Sequence, residues 1–324
     1  MRKKKVLWLL ILFVLAVLGW RYGWLAAGLV FGLLVAALAA LFAGQWLMGG
    51  MGMGRLRKLR AKHGLDVMAA DLIRREGDAD TFRFVVLGDT RNVVRVAREV
   101  YERASDEQPA MIFHTGDIVR HGTPTELLRN HVELLEITDP APMFCVPGNH
   151  ERGVRRDFAG FRALYGDDKF SFDFGGCRFV GFNNCTKGRG SVREDDLGWL
   201  DTELGRPGVR HKYVFMHIPP AFFEATFVSD TRRRGFTKNA DAFHAMMQKH
   251  GVDEVFMAHI HGYASTVMDG VRYTLTAGGG APLSGRLAQA GRAYNYVGLR
   301  VTPTSVRRTV VRGQDDDWSR EDEG

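Results

Sequence analysis

Cysteine is scarce: Cys145, Cys177 and Cys185 are the only three in 324 residues. An odd number without a Cys-x-x-Cys spacing argues against a disulfide framework and against a structural zinc site. The three read instead as small apolar residues in a reducing compartment. Acidic side chains are missing from the first 63 positions, which carry ten Lys or Arg. The tail from Asp315 has the opposite bias, six acidic residues against one Arg, so the formal charge of +7 leaves residues 64–314 at about +2. A body that close to neutral has no bias toward polyanions, and nucleic acid is not expected as a partner. Internal repeats are also missing.

Long hydrophobic runs occur only at the N-terminus. Residues 6–20 are apolar, Arg21 and Tyr22 interrupt, and apolar character resumes from Gly23 to about Met48. A membrane-spanning helix needs roughly 20 apolar residues, and the zone has enough for two. The alternatives are a single span with an interfacial piece and a cleaved signal peptide, whose apolar core of roughly 7–15 residues is much shorter than this zone. Arg2 to Lys5 precede the first run, and Arg55, Arg57, Lys58, Arg60 and Lys62 follow the second. Keeping both basic flanks in the cytoplasm requires an even number of crossings. The expectation is a transmembrane hairpin over 1–54, then a basic juxtamembrane linker or helix over 55–80 beside the bilayer. The catalytic domain over 81–314 would lie at the cytoplasmic face of the cell membrane, followed by an acidic tail over 315–324.

From Phe82 the pattern alternates between strand and helix. FRFVVLGD, AMIFHTGD and APMFCVPGNH are apolar strands that end in polar turns. Between the first two, Val93, Val96, Ala97, Val100, Tyr101 and Ala104 recur at helical spacing. Thr123, Pro124 and Glu126 open a helix over about 124–136 in capping-box style. Later the chain favours antiparallel hairpins, one turning at Gly175-Gly176 and one at Asp269-Gly270. HKYVFMH and DEVFMAH are further strands with polar ends, and two last strands fall near 294–301 and 306–312. Units of α/β first and hairpins afterwards fit a mixed α/β (α+β) fold of two packed sheets with outer helices.

Five strand ends carry the polar residues: Gly88-Asp89-Thr90-Arg91, Gly116-Asp117, Gly148-Asn149-His150-Glu151, His217 and His259-Ile260-His261. Parallel strands bring such ends to one crevice, and His-x-His puts two imidazoles on one strand face. A Gly-Asp after a strand is by itself usually a turn, and a lone His is usually structural. The ordered combination is far more specific. Carboxylate, amide and imidazole together suit divalent ions of intermediate softness.

That series resembles the calcineurin-like metallophosphoesterases over roughly residues 81–280. The resemblance implies a four-layer α/β/β/α sandwich with two mixed β-sheets and two divalent metal ions (Mn, Fe or Zn). Asp117 would bridge them; Asp89 and His261 would complete the first site, and Asn149, His217 and His259 the second. His150 would stand beside the substrate phosphate as general acid or transition-state stabiliser. The implied reaction is cleavage of a phosphomonoester, phosphodiester or pyrophosphate bond by a hydroxide held between the ions.

One position departs from the family pattern. The first motif commonly reads Asp-x-His, and here Arg91 stands where the His is expected. A guanidinium stays protonated and cannot ligate a cation. Either water or Asn92 fills the gap while Arg91 binds a substrate phosphate oxygen, or the centre is degenerate and the chain is a membrane-tethered binding or scaffold protein. With the other ligand positions intact, catalysis is the expectation, with Arg91 and His150 as catalytic and substrate-binding residues. An anchor beside the domain favours a lipid or lipid-linked phosphoester. His114 either hydrogen-bonds behind the site or packs at its strand end; His121 and His131 read as surface or helix residues. Arg232, Arg233 and Arg234 read as a headgroup-binding loop or a solvated charge run.

Overall fold

The computed structural model describes residues 17, 19–21, 23–77, 79–153, 157–186, 190–228, 235–314 and 317–323. By internal contacts the chain divides into two compact units, Met1–Gly52 and Met53–Gly324. Helix α1 (Trp24–His63) is rich in Ala and Leu, the strongest helix formers. Its last turn carries Arg60, Lys62 and His63, cations that suit the negative end of the helix dipole. Trp24, Leu25, Leu29 and Leu33, near its start, are exposed. Among the described residues, no helix is long and apolar enough to cross a membrane. The expected hairpin over 1–54 is therefore not found there, and positions 6–16 of its first run lie outside the described residues.

In the second unit, helix α2 (Leu65–Glu76) buries Leu65, Met68 and Leu72, a single helical stripe. Strand β1 (Phe82–Leu87) is followed by α3 (Val94–Asp106), which buries Val96, Ala97, Val100, Tyr101 and Ala104 as the spacing predicts. Then come β2 (Met111–His114), α4 (Pro124–Leu127), a wide helical turn at Leu128–Val132, α5 (Glu133–Thr138) and β3 (Met143–Cys145). The capping box at Thr123 and Glu126 is present in both directions. The expected helix over 124–136 is thus real but widened in its middle.

Helix α6 (Ala159–Tyr165) leads to the hairpin of β4 (Lys169–Phe174) and β5 (Cys177–Phe182). Helix α7 (Glu194–Gly205), β6 (His211–Phe215), α8 (Ala221–Phe227), α9 (Ala240–Lys249) and β7 (Glu254–Met257) follow. Strands β8 (Tyr263–Met268) and β9 (Val271–Thr276) form the second hairpin. The chain then runs through β10 (Tyr294–Val301), β11 (Val306–Gln314) and β12 (Asp317–Glu323).

Two six-stranded mixed sheets result, ordered β12-β11-β10-β1-β2-β3 and β4-β5-β6-β7-β9-β8. Within the first, β1, β2 and β3 are parallel; within the second, β5, β6, β7 and β9 are parallel. Aromatic side chains fill the space between the sheets. Phe113 of β2 stacks on Phe215 of β6 with ring centroids 4.1 Å apart, and Phe84 of β1 meets Phe179 of β5 edge-on at 5.2 Å. Such pairs add about 0.5–1.5 kcal/mol each beyond the area they bury. Strands β1, β2, β5 and β7 are buried along nearly their whole length, as expected for strands covered on both faces.

Residues 317–323 of the acidic segment set apart in the sequence as a tail are instead built into the first sheet. Strand β12 pairs antiparallel with β11 from Gln314↔Asp317 to Arg308↔Glu323. The sheet tolerates its charges because they find partners. Arg320 reaches Glu107, Arg308 reaches Glu323, and Trp318 lies under the Arg103 guanidinium at 4.6 Å. Of the two expectations for His131, the helix one holds and the surface one does not: it lies in the helical turn before α5, is fully buried and hydrogen-bonds the Tyr165 hydroxyl.

Candidate metal centre

The register of the parallel strands builds the site. Leu87 pairs with His114 and His114 with Cys145, so the turns after β1, β2 and β3 leave the sheet at one level. Phe215 pairs with Phe256, which levels the turns after β6 and β7 in the other sheet. All eight expected residues come from these five turns: Asp89, Arg91, Asp117, Asn149, His150, His217, His259 and His261.

The turns are tight and strained. Asp89, Arg91, Asn92, Asp117 and His259 all have positive φ, between 45° and 76°. Non-glycine residues adopt this region only when surrounding contacts over-determine it, typically at functional sites. Two glycines permit the crowding. A Cβ on Gly148 would stand 2.2 Å from the Asp117 nitrogen, and one on Gly279 would stand 2.4 Å from the Gly88 carbonyl oxygen. The Gly278–Gly280 segment does pass closely beneath the site: Gly279 N–H donates to Gly88 O at 2.7 Å and Ala281 N–H to Asp89 O at 2.8 Å.

The ligand-type atoms form two clusters that share one carboxylate: Asp117 with His217 and His259, and Asp117 with Asp89 and His261. His217 donates Nδ1–H to Thr115 O at 2.9 Å, which leaves its Nε2 lone pair facing Asp117 Oδ1 and Asn149 Oδ1, each at 3.3 Å. His259 packs edge-on against His217 with centroids 5.2 Å apart, and its backbone N–H donates to Asp89 Oδ2 at 2.8 Å. His261 donates Nδ1–H to Pro282 O at 2.7 Å, so its Nε2 points at Asp89 Oδ1, 3.4 Å away. In both histidines a carbonyl fixes the tautomer and aims the other nitrogen inward, the usual arrangement behind a metal-binding imidazole.

Charge balance agrees. Burial opposes ionisation of Asp89, but its interactions with His261, His217 and the His259 backbone N–H outweigh burial and hold its carboxyl below the ordinary range. Burial and the neighbouring Asp89 charge push Asp117 the other way, well above it. Two carboxylates packed this closely cannot both ionise without added positive charge. Asp89 Oδ1 is buried and makes no hydrogen bond of acceptable geometry, an orphaned acceptor that a cation would satisfy. Asp117, Asn149, His217 and His259 fit a divalent ion by donor type and by the closeness of their donor atoms.

The other cluster fits less well. Arg91 enters it, with Nη1 3.1 Å from His261 Nε2, Nη2 2.8 Å from His150 Nε2 and Nε 3.9 Å from Asp117 Oδ2. Asn92, the expected substitute ligand, has its amide nitrogen held by Glu126 Oε1 at 2.8 Å. His150 donates Nδ1–H to Arg120 O, and burial lowers its pKa.

Three supporting residues went unassigned in the sequence. Glu151, buried, accepts from the backbone N–H groups of Asp117, Gly148 and Val119. Its place in the Gly-Asn-His-Glu run was the available signal. Asn184 braces the end of β6, accepting from Ile218 N–H at 3.1 Å and from His217 N–H at 3.3 Å. It follows Asn183 directly after a strand, a signal of the same kind as the ligand turns. Thr90 donates its hydroxyl proton to Ile118 O at 2.8 Å and accepts from His114 Nε2 at 3.3 Å. His114 is thus neither a ligand nor mere packing: its Nδ1 accepts from Gly116 N–H at 3.1 Å and fixes the turn that carries Asp117. Arg232, Arg233 and Arg234 lie outside the described residues.

Fold and site together define a metallophosphoesterase. The model of the calcineurin-like phosphoesterase family matches residues 82–263, and the chain belongs to that family. Among curated proteins it is 30% identical over 122 residues to the probable glycerophosphodiester phosphodiesterase GpdQ of Arcobacter nitrofigilis, covering 35% of this chain and 43% of that one. It is 29% identical over 191 residues to the serine/threonine-protein phosphatase CPPED1 of Bos taurus, covering 52% of this chain and 59% of that one. The matches therefore span less than two thirds of these relatives. Among solved structures, the purple acid phosphatase PPD1 from yellow lupin (Lupinus luteus) seeds shares the fold. Its TM-score is 0.59 at 15% identity, over 76% of this chain and 54% of that one.

Proposed function

We propose that this chain is a metal-dependent hydrolase of a phosphomonoester or phosphodiester. The observation that carries the reading is the convergence of Asp117, Asn149, His217 and His259 beside the paired Arg91 and His150. A divalent ion held by the first four residues would supply Lewis acidity, drawing charge from phosphoryl oxygens and bringing a hydroxide nucleophile within reach of neutral pH.

The remaining roles belong to the chain. Arg91, about a quarter exposed, offers a planar fork of donors to a phosphoryl oxygen pair, the geometry that arginine matches best. While Arg91 donates to His150 Nε2, that nitrogen carries no proton. A phosphoryl group that takes over the Nη2 donor frees Nε2 to pick up a proton from solvent and pass it to the leaving oxygen. Arg120 O keeps the His150 ring oriented throughout. The Asp89 carboxylate takes the His259 N–H and faces His261, which keeps the His-x-His turn in place.

We extend the proposal to attachment at the cytoplasmic face of a membrane, with a lipid or lipid-linked phosphoester as substrate. Supporting this are the apolar zone from 6 to about 48, its two basic flanks and the exposed apolar side chains near the start of α1. One curated relative bears the name of a phosphodiesterase acting on glycerophosphodiesters, which are headgroup pieces of lipids. The opposing reading, a binding protein on a degenerate centre, is favoured by one observation, the intrusion of Arg91 among the ligands.

Hydrolysis of aryl phosphomonoesters and phosphodiesters by the detergent-purified chain tests the main reading. The chain would be stripped with chelator and reloaded with Mn²⁺, Zn²⁺ or Fe²⁺. Turnover that returns with metal and is absent from Asp117→Asn and His150→Ala supports it. A folded chain that is inert with every metal and both ester classes makes the binding reading the better one.

A further inference from the structure

The guanidinium of Arg91 occupies the cluster of Asp89, Asp117 and His261 in a way that competes with an ion. A histidine Nε2 has one lone pair, and Nη1 of Arg91 already donates to that of His261 at 3.1 Å. A second amino group donates to His150 Nε2 at 2.8 Å. The backbone sets this placement: Arg91 N–H donates to Asp117 O at 3.1 Å, and Arg91 and Asn92 both sit at positive φ. Glu126 holds the amide nitrogen of Asn92 at 2.8 Å, and the guanidinium lies between His261 and His150 where a replacement ligand would have to reach. A guanidinium cannot give up its proton to make room for a dication, and its charge repels one.

We infer that this centre holds a single divalent ion tightly, at Asp117, Asn149, His217 and His259, with the Arg91 guanidinium standing in permanently for the charge of the second. The substitution accounts for how two buried carboxylates coexist here. Asp117 meets both the ion it binds and the Arg91 Nε at 3.9 Å, and Asp89 faces His261 and takes the His259 N–H. Arg91 then plays two parts, filling the first position and presenting its outer edge to the substrate phosphoryl group. The inference deepens the hydrolase reading, since it concerns the same centre, but its test does not depend on turnover.

Metal per chain would be measured by elemental analysis on the full-length protein. The protein would be saturated with Mn²⁺ and then dialysed against metal-free buffer. One ion is expected for the wild type and two for Arg91→His, which restores an imidazole at that position. Two ions in the wild type, or one in a folded Arg91→His, overturns the inference. Should the variant not fold, the electron paramagnetic resonance spectrum of the Mn²⁺-saturated wild type decides. The hyperfine pattern of isolated Mn²⁺ upholds a single ion, and that of an exchange-coupled pair rejects it. Two ions with full hydrolysis would sink this inference and leave the hydrolase intact. One ion with no hydrolysis of any phosphoester would do the reverse.

Discussion

Glu151 and Asp117 are joined by a hydrogen bond that runs opposite to what two acids suggest. The Glu151 carboxylate accepts from the backbone N–H of Asp117 at 2.9 Å and also from that of Gly148 at 2.7 Å. One buried side chain thus ties the turn after β2 to the turn after β3, and with them the shared carboxylate to Asn149. It presents no atom to the substrate side and acts by holding two turns in register.

Glu151→Ala leaves the N–H groups of Asp117, Gly148 and Val119 without their partner. At about 1–3 kcal/mol for each buried donor left unmet, partly relieved by water entering the gap, the expected loss is about 3 kcal/mol. Urea unfolding of the metal-free protein measures it. A loss below about 1 kcal/mol would contradict the part given to Glu151.

Asp117 and His217 are expected to matter for metal before they matter for stability. Asp117→Asn or His217→Ala should weaken retention of the tight ion at least about 10-fold, the lower end seen when even groups behind a metal ligand are lost. Isothermal titration with Mn²⁺ or Zn²⁺ reads this directly. Wild-type affinity in both variants would place the ion elsewhere.

Two buried histidines predict acid sensitivity. Burial lowers the pKa of His114 from 6.5 to about 3 and pushes His131 well below 6.5. The unfolded chain takes up these protons near pH 6.5 while the folded chain refuses them. Their contribution is therefore intact above pH 6.5 and is lost progressively as the pH falls toward 3. Each group can cost up to about 1.4 kcal/mol per pH unit in that window. His131→Gln, which removes one titrating group away from the metal centre, should make stability fall less steeply between pH 6.5 and 4.5. An unchanged slope in urea unfolding would show that His131 is protonated in the folded state.

The terminal strand makes a prediction about stability alone. Trp318 donates Nε1–H to Glu99 at 2.7 Å and lies beneath the Arg103 guanidinium. Losing one charge-assisted hydrogen bond and one partly exposed cation–π contact should cost about 2 kcal/mol in Trp318→Ala. Thermal unfolding should show the shift, with metal binding unaltered. A variant as stable as the wild type would mean that β12 docks without this residue.

Much of the fold was legible because its signals are local. The capping box at Thr123 and Glu126, the apolar stripe of α3 and the glycine turn of the β4–β5 hairpin each lie within one short stretch of chain. Strand β12 was not legible, because its charges contradict a strand pattern and are offset by Glu107, far away in sequence, and by Arg308 and Arg312 of the paired strand. The bend that buries His131 was hidden for the same reason.

The candidate site divides along the same line. Residue types and order determined by themselves that two carboxylates, an amide and several imidazoles would sit at strand ends, because parallel strands deliver their ends to one edge whatever the details. Whether each atom is available there was decided only by tertiary structure. The His217 lone pair is open because Thr115 O, from another strand, takes its other nitrogen. The His261 lone pair is met by Arg91 because two turns, 170 residues apart, bring their tips to 3.1 Å. A hydrogen-bond direction is a property of a pair, and chain order specifies the members of that pair without specifying their distance.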